Sequence, residues 1–232
     1  MIVLGDFASG KRSIDISGLT KQSSILINCE GFLTEKDHST ESVVFNNIEL
    51  FKKLNTTFNI IANLANNHIM DVPDGVSQSL KLANSNNIRT VGAGKNLQLA
   101  CKPLIFKDNE IEIAIISAGW DVIGCQYADE NTEGVAPLDS LRLLKQVKNE
   151  KLLGRKVLVY LHWDYELEVY PQPTHRNLAM ELIDAGADIV LGCHSHCVQG
   201  FETYKNKYIF YGLGNTVFDE KGGVSKSMLI KT

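Results

Sequence analysis

Histidines suited to binding a metal ion follow two apolar runs in the second half of the chain. His162 closes the run Lys156–Leu161, and His194 and His196 stand two residues apart after Asp188–Leu191. A His-x-His pair at a strand end directs two imidazole rings to one point, and imidazole binds Zn, Fe, Mn, Ni and Cu. These histidines therefore predict a metal site. The other polar residues that follow apolar runs are Asp6, Asn28, Glu30, Asn66, Asn67, His68 and Asn215.

Most of these residues also have a structural explanation when each is taken alone. An aspartate after a strand, such as Asp6, is commonly a turn residue, and Asn66-Asn67 is typical of a turn. Glu30 is compatible with a solvated carboxylate, and His162 with a hydrogen-bonded core residue. Independent turn and core residues would not all gather at one edge of a sheet, so their common position favours a shared site.

The mixture of ligand types narrows the choice of metal. Carboxylate oxygens favour hard cations, whereas imidazole favours softer ones. A site that combines His, Asp, Glu and Asn is predicted to hold Mn, Fe or Zn rather than Mg or Ca. Cys193 and Cys197 flank the His-x-His pair, but their spacing matches no Cys2His2 zinc site, so both are predicted to be packed thiols.

The apolar runs alternate with helical patterns, which is typical of an α/β fold. In such a fold, sites form beyond the carboxyl ends of the strands, where these polar residues are predicted to lie. No internal repeat or Pro/Gly/Ser-rich linker divides the sequence, so we predict one domain over residues 1–232. The predicted strands are Ile2–Leu4, Ser24–Ile27, Phe58–Ala62, Arg89–Val91, Ile111–Ser117, Lys156–Leu161, Asp188–Leu191 and Tyr208–Tyr211, and the predicted helices are Asp74–Ser85, Leu138–Leu153 and Thr174–Ala185.

Composition and charge argue against several classes of partner. The 232 residues are 44% hydrophobic and 22% charged with a formal net charge of −4, so binding to nucleic acid is not expected. No apolar run approaches the roughly 20 residues that span a bilayer, and no signal peptide is recognisable. We therefore expect a cytoplasmic location without membrane insertion, with the five cysteines reduced. Lys11, Arg12 and Arg176 are expected to be solvated cations.

Several longer motifs run through the sequence from Gly5-Asp6 to Gly214-Asn215. They are Asn28-Cys29-Glu30, Leu64–His68 with Asp71, Val91–Gly94, His162-Trp163, Pro171, Ala185–Gly200 and Tyr211–Asn215. With these motifs the chain resembles the CapA/PgsA family of poly-γ-glutamate capsule biosynthesis proteins, a branch of the calcineurin-like metallophosphoesterases. The resemblance implies a metallophosphoesterase-like layered sandwich of mixed β-sheets flanked by α-helices.

The resemblance also implies two divalent metal ions, Mn, Fe or Zn, with a catalytic histidine beside them. His68 matches the position of that histidine, and Glu30 stands where an acid bridging both ions is expected. By the same correspondence, Asp6 and His196 bind the first ion, and Asn67, His162 and His194 bind the second.

The sequence departs from the family pattern at four positions. Ala8 replaces a histidine that the broader superfamily has two residues after its first aspartate, so the first metal site is expected to be weak. Asp164 stands where the family often has glycine, and His175 stands near a usual glutamine. Cys193 stands at a position where the family commonly has histidine.

Taken together, the resemblance and the ligand types predict a phosphoester hydrolase. A hydroxide held by the ions would attack phosphorus, and His68 would protonate the leaving oxygen as a general acid. Asp71 and Asp188 are candidates for fixing the histidine tautomers. The expected substrate is a small-molecule or polymer-linked phosphoester connected with capsule, exopolysaccharide or poly-γ-glutamate synthesis.

Three other interpretations remain open at this point. A non-catalytic accessory protein of capsule or poly-γ-glutamate assembly would keep the fold, and the loss of a ligand at Ala8 favours it. A TIM-barrel amidohydrolase also uses a His-x-His pair, but there the pair follows the first strand and the acid comes late. A binding module with a structural metal would unfold when the metal is chelated. The sequence leaves the oligomeric state open.

Overall fold

The computed structural model describes residues 1–10, 24–218 and 230–231, the last two for their backbone alone, so Lys11 and Arg12 lie outside the described residues. The strands are β1 (Ile2–Ala8), β2 (Ser24–Cys29), β3 (Phe32–Thr34), β4 (Phe45–Asn47), β5 (Asn59–Asn63), β6 (Arg89–Val91), β7 (Ala93–Gly94), β8 (Leu104–Asp108), β9 (Ile111–Gly119), β10 (Gly134–Val135), β11 (Lys156–His162), β12 (Ile189–Cys193), β13 (Phe201–Tyr204), β14 (Lys207–Phe210), β15 (Asn215–Phe218) and β16 (Ile230–Lys231). The helices are α1 (Ile48–Asn55), α2 (Gly75–Ser85), α3 (Leu97–Ala100), α4 (Ser140–Leu152) and α5 (Pro173–Ala185), and a 3-10 turn spans Asp121–Ile123.

The first sheet is built around β1. Its strand order is β15-β1-β2-β5-β6, with each neighbouring pair parallel, and β16 runs antiparallel beside the first residues of β1. All seven residues of β1 are buried. Parallel strands covered on both faces are continuously apolar, which explains the apolar runs that begin this strand and its neighbour β2.

The second sheet has the order β13-β14-β12-β11-β9-β8. Its central strands β14, β12, β11 and β9 are parallel, and β8 and β13 are antiparallel edge strands. Within each sheet, the parallel strands therefore end at one edge.

The two sheets pack face to face. Leu26 of the first sheet belongs to one buried apolar cluster with Leu158 and Leu191 of the second. The hydroxyl of Tyr160, also buried between the sheets, donates to the backbone oxygen of Leu4 (2.7 Å). This layer of apolar side chains holds the carboxyl ends of β1 and β11 close to each other.

Helices cover the outer face of each sheet. Phe51 of α1 and Val76 of α2 pack in the cluster that contains Ile60 of the first sheet. Val147 of α4 and Leu182 of α5 pack against the second sheet. The predicted α/β sandwich of mixed sheets flanked by helices is confirmed. Among the described residues, no helix is both long and apolar enough to cross a membrane.

The predicted strands and helices are all present, with ends that differ by a few residues. Helix α5 ends before Gly186, whose φ of +117° is the left-handed conformation that a glycine after a helix commonly adopts. Helix α1 is not among the predicted helices, although its amphipathic pattern buries Ile48, Phe51 and Leu54, and the side chain of Asn47 caps it. A helix of eight residues gives too short a periodic signal between two strands.

Candidate metal centre

Asn28 joins the two carboxylates of the centre. In the first sheet it is the cross-strand partner of Asp6 and of Asn63. Its Nδ2 atom donates to Asp6 Oδ1 (2.7 Å) and to Glu30 Oε2 (2.8 Å). Its Oδ1 atom accepts from Asn63 Nδ2 (2.9 Å), and Asn63 Oδ1 accepts from Ser117 Oγ of the second sheet (2.6 Å). This buried chain of hydrogen bonds fixes the direction of both carboxylates.

Glu30 is buried, and one of its carboxylate oxygens lacks a hydrogen bond. Asn28 binds Oε2, whereas no donor among the described residues reaches the buried Oε1. Burial raises the pKa of Glu30, and the charge of Asp6 raises it further. A buried carboxylate oxygen without a partner is costly unless a proton or a cation reaches it. Glu30 Oε1 is therefore a candidate metal ligand.

Three further candidate ligand atoms lie near the Nε2 atom of His162, the last residue of β11. Its Nε2 atom lies 2.8 Å from Asn67 Oδ1, 3.1 Å from His194 Nδ1 and 3.5 Å from Glu30 Oε1. Around a tetrahedral ion with ligand distances near 2.1 Å, neighbouring ligand atoms are about 3.4 Å apart. The three distances from His162 Nε2 thus lie near the spacing expected between ligand atoms around one small cation.

The histidines His162 and His194 are held in the neutral form. Burial lowers the pKa of His162 well below its ordinary value, and positive charge on His194, His196 or His68 would lower it further. Burial likewise lowers the pKa of His194 to about 3, with His196 and His68 acting in the same direction. A neutral imidazole keeps a nitrogen lone pair for a metal ion, so this environment favours ligation over protonation.

His194 and His196 lie in a turn after β12, with φ values of +91° and +54°. The backbone N–H of His194 donates to Asp6 Oδ1 (3.2 Å) and Oδ2 (3.1 Å). His196 Nδ1 lies 2.7 Å from Asn215 Oδ1 and 3.5 Å from Asp6 Oδ2. The ligand atoms of the two rings converge as predicted, within 4.8 Å, but the backbone here is a turn and not the extended strand end that was expected to bring them together. The left-handed turn instead places His194 beside His162 and His196 beside Asp6.

Cys193 adds a sulfur atom to this region. The ligand atoms of Asp6, His162 and Cys193 lie within 4.8 Å of one another, as do those of Glu30, His194 and His196. Burial, and then the charges of Asp6 and Glu30, raise the pKa of Cys193 well above its ordinary value. Its Sγ atom lies 3.2 Å from His162 Nδ1. Cys193 is thus a buried thiol behind His162.

His68 stands beside the centre with a carboxylate behind its ring. Its Nδ1 atom lies 3.0 Å from Asp71 Oδ2, and its backbone N–H donates to Asn66 Oδ1 (3.0 Å). Asp71 Oδ2 also accepts from the backbone N–H of Val44 (2.8 Å). Asp71 therefore lies where an orienting partner of His68 was expected, and it leaves Nε2 of the ring for other contacts.

Asp188 is not part of the centre, contrary to our prediction. It accepts hydrogen bonds from Lys207 Nζ, from the backbone N–H of Val157 (2.9 Å) and from Lys151 Nζ (3.1 Å). Burial opposes its ionisation, but these bonds prevail and lower its pKa to about 2. Asp188 precedes β12, so it lies at the amino ends of the strands, away from the centre.

Arg176, expected to be a solvated cation, pairs with Glu202 (2.9 Å).

A cavity of about 470 Å3 opens beside His68. Its wall includes Asp71, Ala8 and His38, and His38 Nδ1 lies 3.0 Å from Glu41 Oε1. Two histidine–carboxylate pairs therefore face one cavity. A larger cavity of about 830 Å3 lies at the opposite edge, is lined in part by Asp188, and includes none of the candidate metal ligands.

Comparison with known proteins identifies the family. The model of the family described as bacterial capsule synthesis protein PGA_cap matches residues 16–220. The chain belongs to this PGA_cap family. A PGA biosynthesis protein CapA of Bacillus subtilis is 36% identical to it over 176 residues, which cover 75% of this chain and 45% of the relative. The predicted resemblance is thereby confirmed.

Two further relatives with related names are also similar to this chain. A capsule biosynthesis protein CapA of Bacillus anthracis is 33% identical over 166 residues, covering 69% of this chain and 40% of the relative. A probable polyglutamine synthesis accessory protein of Mycobacterium tuberculosis is 30% identical over 174 residues, covering 70% and 46%. The chain thus spans less than half the length of these relatives.

A solved structure of a hypothetical protein from Thermus thermophilus has a similar fold. Its TM-score is 0.54 at 12% identity, and the match covers 95% of this chain and 78% of that chain. At this identity the similarity concerns the fold alone.

Every residue predicted as a metal ligand lies in this one region, namely Asp6, Glu30, Asn67, His162, His194 and His196. Asn63 and Ser117 of the buried hydrogen-bond chain were not among the predicted site residues, and Asn28 was predicted to lie at the site without a role. Asn63 had a usable signal, because it directly follows the apolar run Phe58–Ala62 as Asn28 follows its own run. Ser117 had none, since only the packing of the sheets brings it to Asn63.

Proposed function

We propose that this chain is a metal-dependent phosphoester hydrolase that acts in capsule or poly-γ-glutamate synthesis. The observation that carries the proposal is that Glu30 Oε1, Asn67 Oδ1 and His194 Nδ1 all lie within 3.5 Å of His162 Nε2, while the buried Glu30 Oε1 accepts no hydrogen bond from the described residues. Membership of the PGA_cap family supports the link to capsule synthesis. The proposed substrate is a small-molecule or polymer-linked phosphoester.

The residues fit divalent Mn, Fe or Zn at two positions. Glu30, Asn67, His162 and His194 would hold the better-defined ion, and Asp6 and His196 the second. Ala8 contributes no ligand to the second position, so we expect it to bind more weakly. When bound, such ions activate water and stabilise the charge that develops in phosphoryl transfer.

The side chains of this domain have distinct tasks in the proposed reaction. Asn28 holds the carboxylates of Asp6 and Glu30 toward the centre through its two hydrogen bonds. His68 donates a proton from Nε2 to the leaving oxygen as general acid, while Asp71 fixes the ring through Nδ1. The cavity of about 470 Å3 next to His68 receives the leaving group.

The test combines metal content with turnover. Protein expressed with added Mn is assayed on p-nitrophenyl phosphate, bis-p-nitrophenyl phosphate, nucleotides, sugar phosphates and phosphorylated polymers. His68→Ala is expected to keep its metal and lose about 10²- to 10⁴-fold in kcat, as expected for a lost general acid. His194→Ala is expected to lose the metal as well. Asp184→Ala, in an exposed ion pair with Lys205, serves as the control.

Two outcomes would contradict the proposal. One is metal-loaded protein that turns over none of these esters. The other is weak activity that His68→Ala and His194→Ala both leave unchanged, since a contaminating enzyme would then account for it.

A non-catalytic accessory role is the second candidate, and Ala8 favours it. An alanine at this position removes a ligand that the broader superfamily has, which reduces the capacity for a dinuclear centre. The name of the Mycobacterium tuberculosis relative, an accessory protein, agrees with this role. Metal binding without turnover would support the accessory role.

A further inference from the structure

A buried carboxylate–imidazole pair lies next to the metal centre but has no part in the proposed reaction. Asp164, two residues after His162, is fully buried, and its Oδ1 atom accepts a hydrogen bond from His175 Nδ1 (2.5 Å). The His175 ring stacks on Trp163, with ring centroids 5.0 Å apart, and meets Trp120 edge-on at 4.5 Å. The aromatic rings hold the imidazole in one orientation toward the carboxylate.

This pair connects the two ends of the segment Asp164–Gln172. Asp164 Oδ1 also accepts from the backbone N–H of Gln172 (3.0 Å), at the amino end of α5. The side chain of Gln172 makes no capping hydrogen bond to this helix. Asp164 thus provides the acceptor that a helix N-terminus favours, and it ties the end of β11 to the start of α5.

Between its ends, the segment Asp164–Gln172 contacts the turn that carries the two histidines. The backbone N–H of Leu167 donates to the backbone oxygen of Ser195 (2.9 Å). The Nε2 atom of Gln199 donates to the backbone oxygen of Glu168 (2.9 Å). Ser195 stands between His194 and His196 in the sequence, so the segment holds this turn from its outer side.

The turn and the segment both contain strained backbone. His194, His196, Asp164 and Leu167 have φ values of +91°, +54°, +67° and +60°. Residues other than glycine keep such angles only when their surroundings hold them there. We propose that Asp164 and His175 are positioning residues that hold His194 and His196 in the geometry that binds the metal. This inference rests on the proposed function, because it takes the two histidines as ligands.

Simple core packing does not account for Asp164. Its Oδ2 atom is buried without a hydrogen-bond partner among the described residues, which an apolar side chain would avoid. A glycine would adopt the φ of +67° without strain. The carboxylate of Asp164 instead makes hydrogen bonds to His175 and Gln172, and these bonds fix the position of β11 relative to α5.

The first test measures metal affinity in variants of the pair. Asp164→Asn and His175→Gln are each expected to raise the Kd for Zn about tenfold, with kcat at saturating metal within about twofold of wild type. The double variant Asp164→Gly/His175→Gln is expected to lose less affinity, in log Kd, than the sum of the losses in Asp164→Gly and His175→Gln measured singly. It leaves neither a buried carboxylate nor an imidazole without its partner, and glycine relieves the strain. Asp184→Asn, an exposed change on α5, is the control and should match wild type.

A second readout needs no metal and separates this inference from the proposed function. Hydrogen exchange is measured at the backbone N–H groups of Leu167 and His194, which are bonded to Ser195 and Asp6. In metal-free protein, both should exchange faster in the single variants than in the Asp184→Asn control. Unchanged exchange at both positions, or an unchanged Kd in variants of a wild type that binds metal, would overturn the positioning role. If wild type binds no metal, the proposed function fails, and exchange alone still decides whether the pair holds the turn.

Discussion

The Nδ1 atom of His194 lies 3.1 Å from the Nε2 atom of His162, with both rings buried. Two neutral imidazoles in this arrangement can share at most one hydrogen between these nitrogens. His162 Nε2 also faces Asn67 Oδ1 and Glu30 Oε1, so the atoms compete for very few protons. A cation among them resolves this shortage of donors, because each of these atoms can then direct a lone pair at it.

Acid is expected to destabilise the metal-free protein through His194. Its pKa is about 3 in the folded protein and near 6.5 in the unfolded chain, so the unfolded chain binds more protons between these values. His194 therefore contributes stability that is complete above about pH 6.5 and is lost as the pH falls toward 3. His194→Gln should reduce the slope of unfolding free energy against pH by up to about 1.4 kcal/mol per unit in this range. Equal slopes in wild type and His194→Gln, both treated with chelator, would contradict this role of His194.

Metal affinity is expected to rise with pH through Glu30. Its raised pKa means that the metal-free protein keeps a proton there above the usual range, and a cation must displace it. Below the folded-state pKa, the association constant should grow by up to about tenfold per pH unit. Calorimetry across several pH values should show a flatter dependence for Glu30→Gln. Glu49→Gln, a change at an exposed carboxylate, should keep the wild-type dependence of metal affinity on pH. The wild-type dependence in Glu30→Gln would contradict the assignment of Glu30 as a metal ligand.

Restoring a histidine at position 8 is expected to strengthen the second metal site. Ala8 is buried and lines the cavity beside His68, so space for a larger side chain lies next to it. Ala8→His should raise the metal content, measured by plasma mass spectrometry, from about one toward two ions per chain. Ala8→Leu adds bulk without a ligand nitrogen, so it should leave the metal content unchanged. Equal metal content in Ala8→His and Ala8→Leu would contradict the claim that the second site is weak because Ala8 supplies no ligand.

A carboxylate in place of Asn28 should make folding depend on metal. Asn28 donates to Asp6 and Glu30, and Asn28→Asp replaces this donor by a third buried acid. The metal-free variant should lose about 3–5 kcal/mol of unfolding free energy, and added Mn or Zn should restore part of it. Asn149→Asp, on the exposed face of α4, controls for the added charge. If metal stabilises Asn28→Asp no more than wild type, the bridging role of Asn28 is wrong.

The sequence predicted the parts of the site that depend on strand ends. The apolar runs of buried parallel strands stop near the carboxyl ends of the strands, so Asp6 and His162 were visible as the first polar residues after two runs. Glu30 was visible as the second polar residue after a third run, two positions beyond Asn28. The same rule also identifies the error at Asp188, which begins its predicted strand and so lies at the amino edge.

Contacts between distant elements were not predictable in this way. Asp164 and His175 were recognised only as two separate departures from a family pattern, and the structure shows that they bond to each other. The left-handed turn at His194 and His196 has no sequence signal either, because neither residue is glycine. Both features depend on tertiary packing that overrides local preference.

The most direct test of the central claim is anomalous diffraction from crystals grown with Mn or Zn. We predict a strong anomalous peak between Glu30 Oε1, His162 Nε2 and His194 Nδ1, and its absence in His194→Ala crystals grown in the same way. A fully metal-loaded crystal with no peak among these three residues, or with the peak at another site, would contradict the assignment of this cluster as the metal centre.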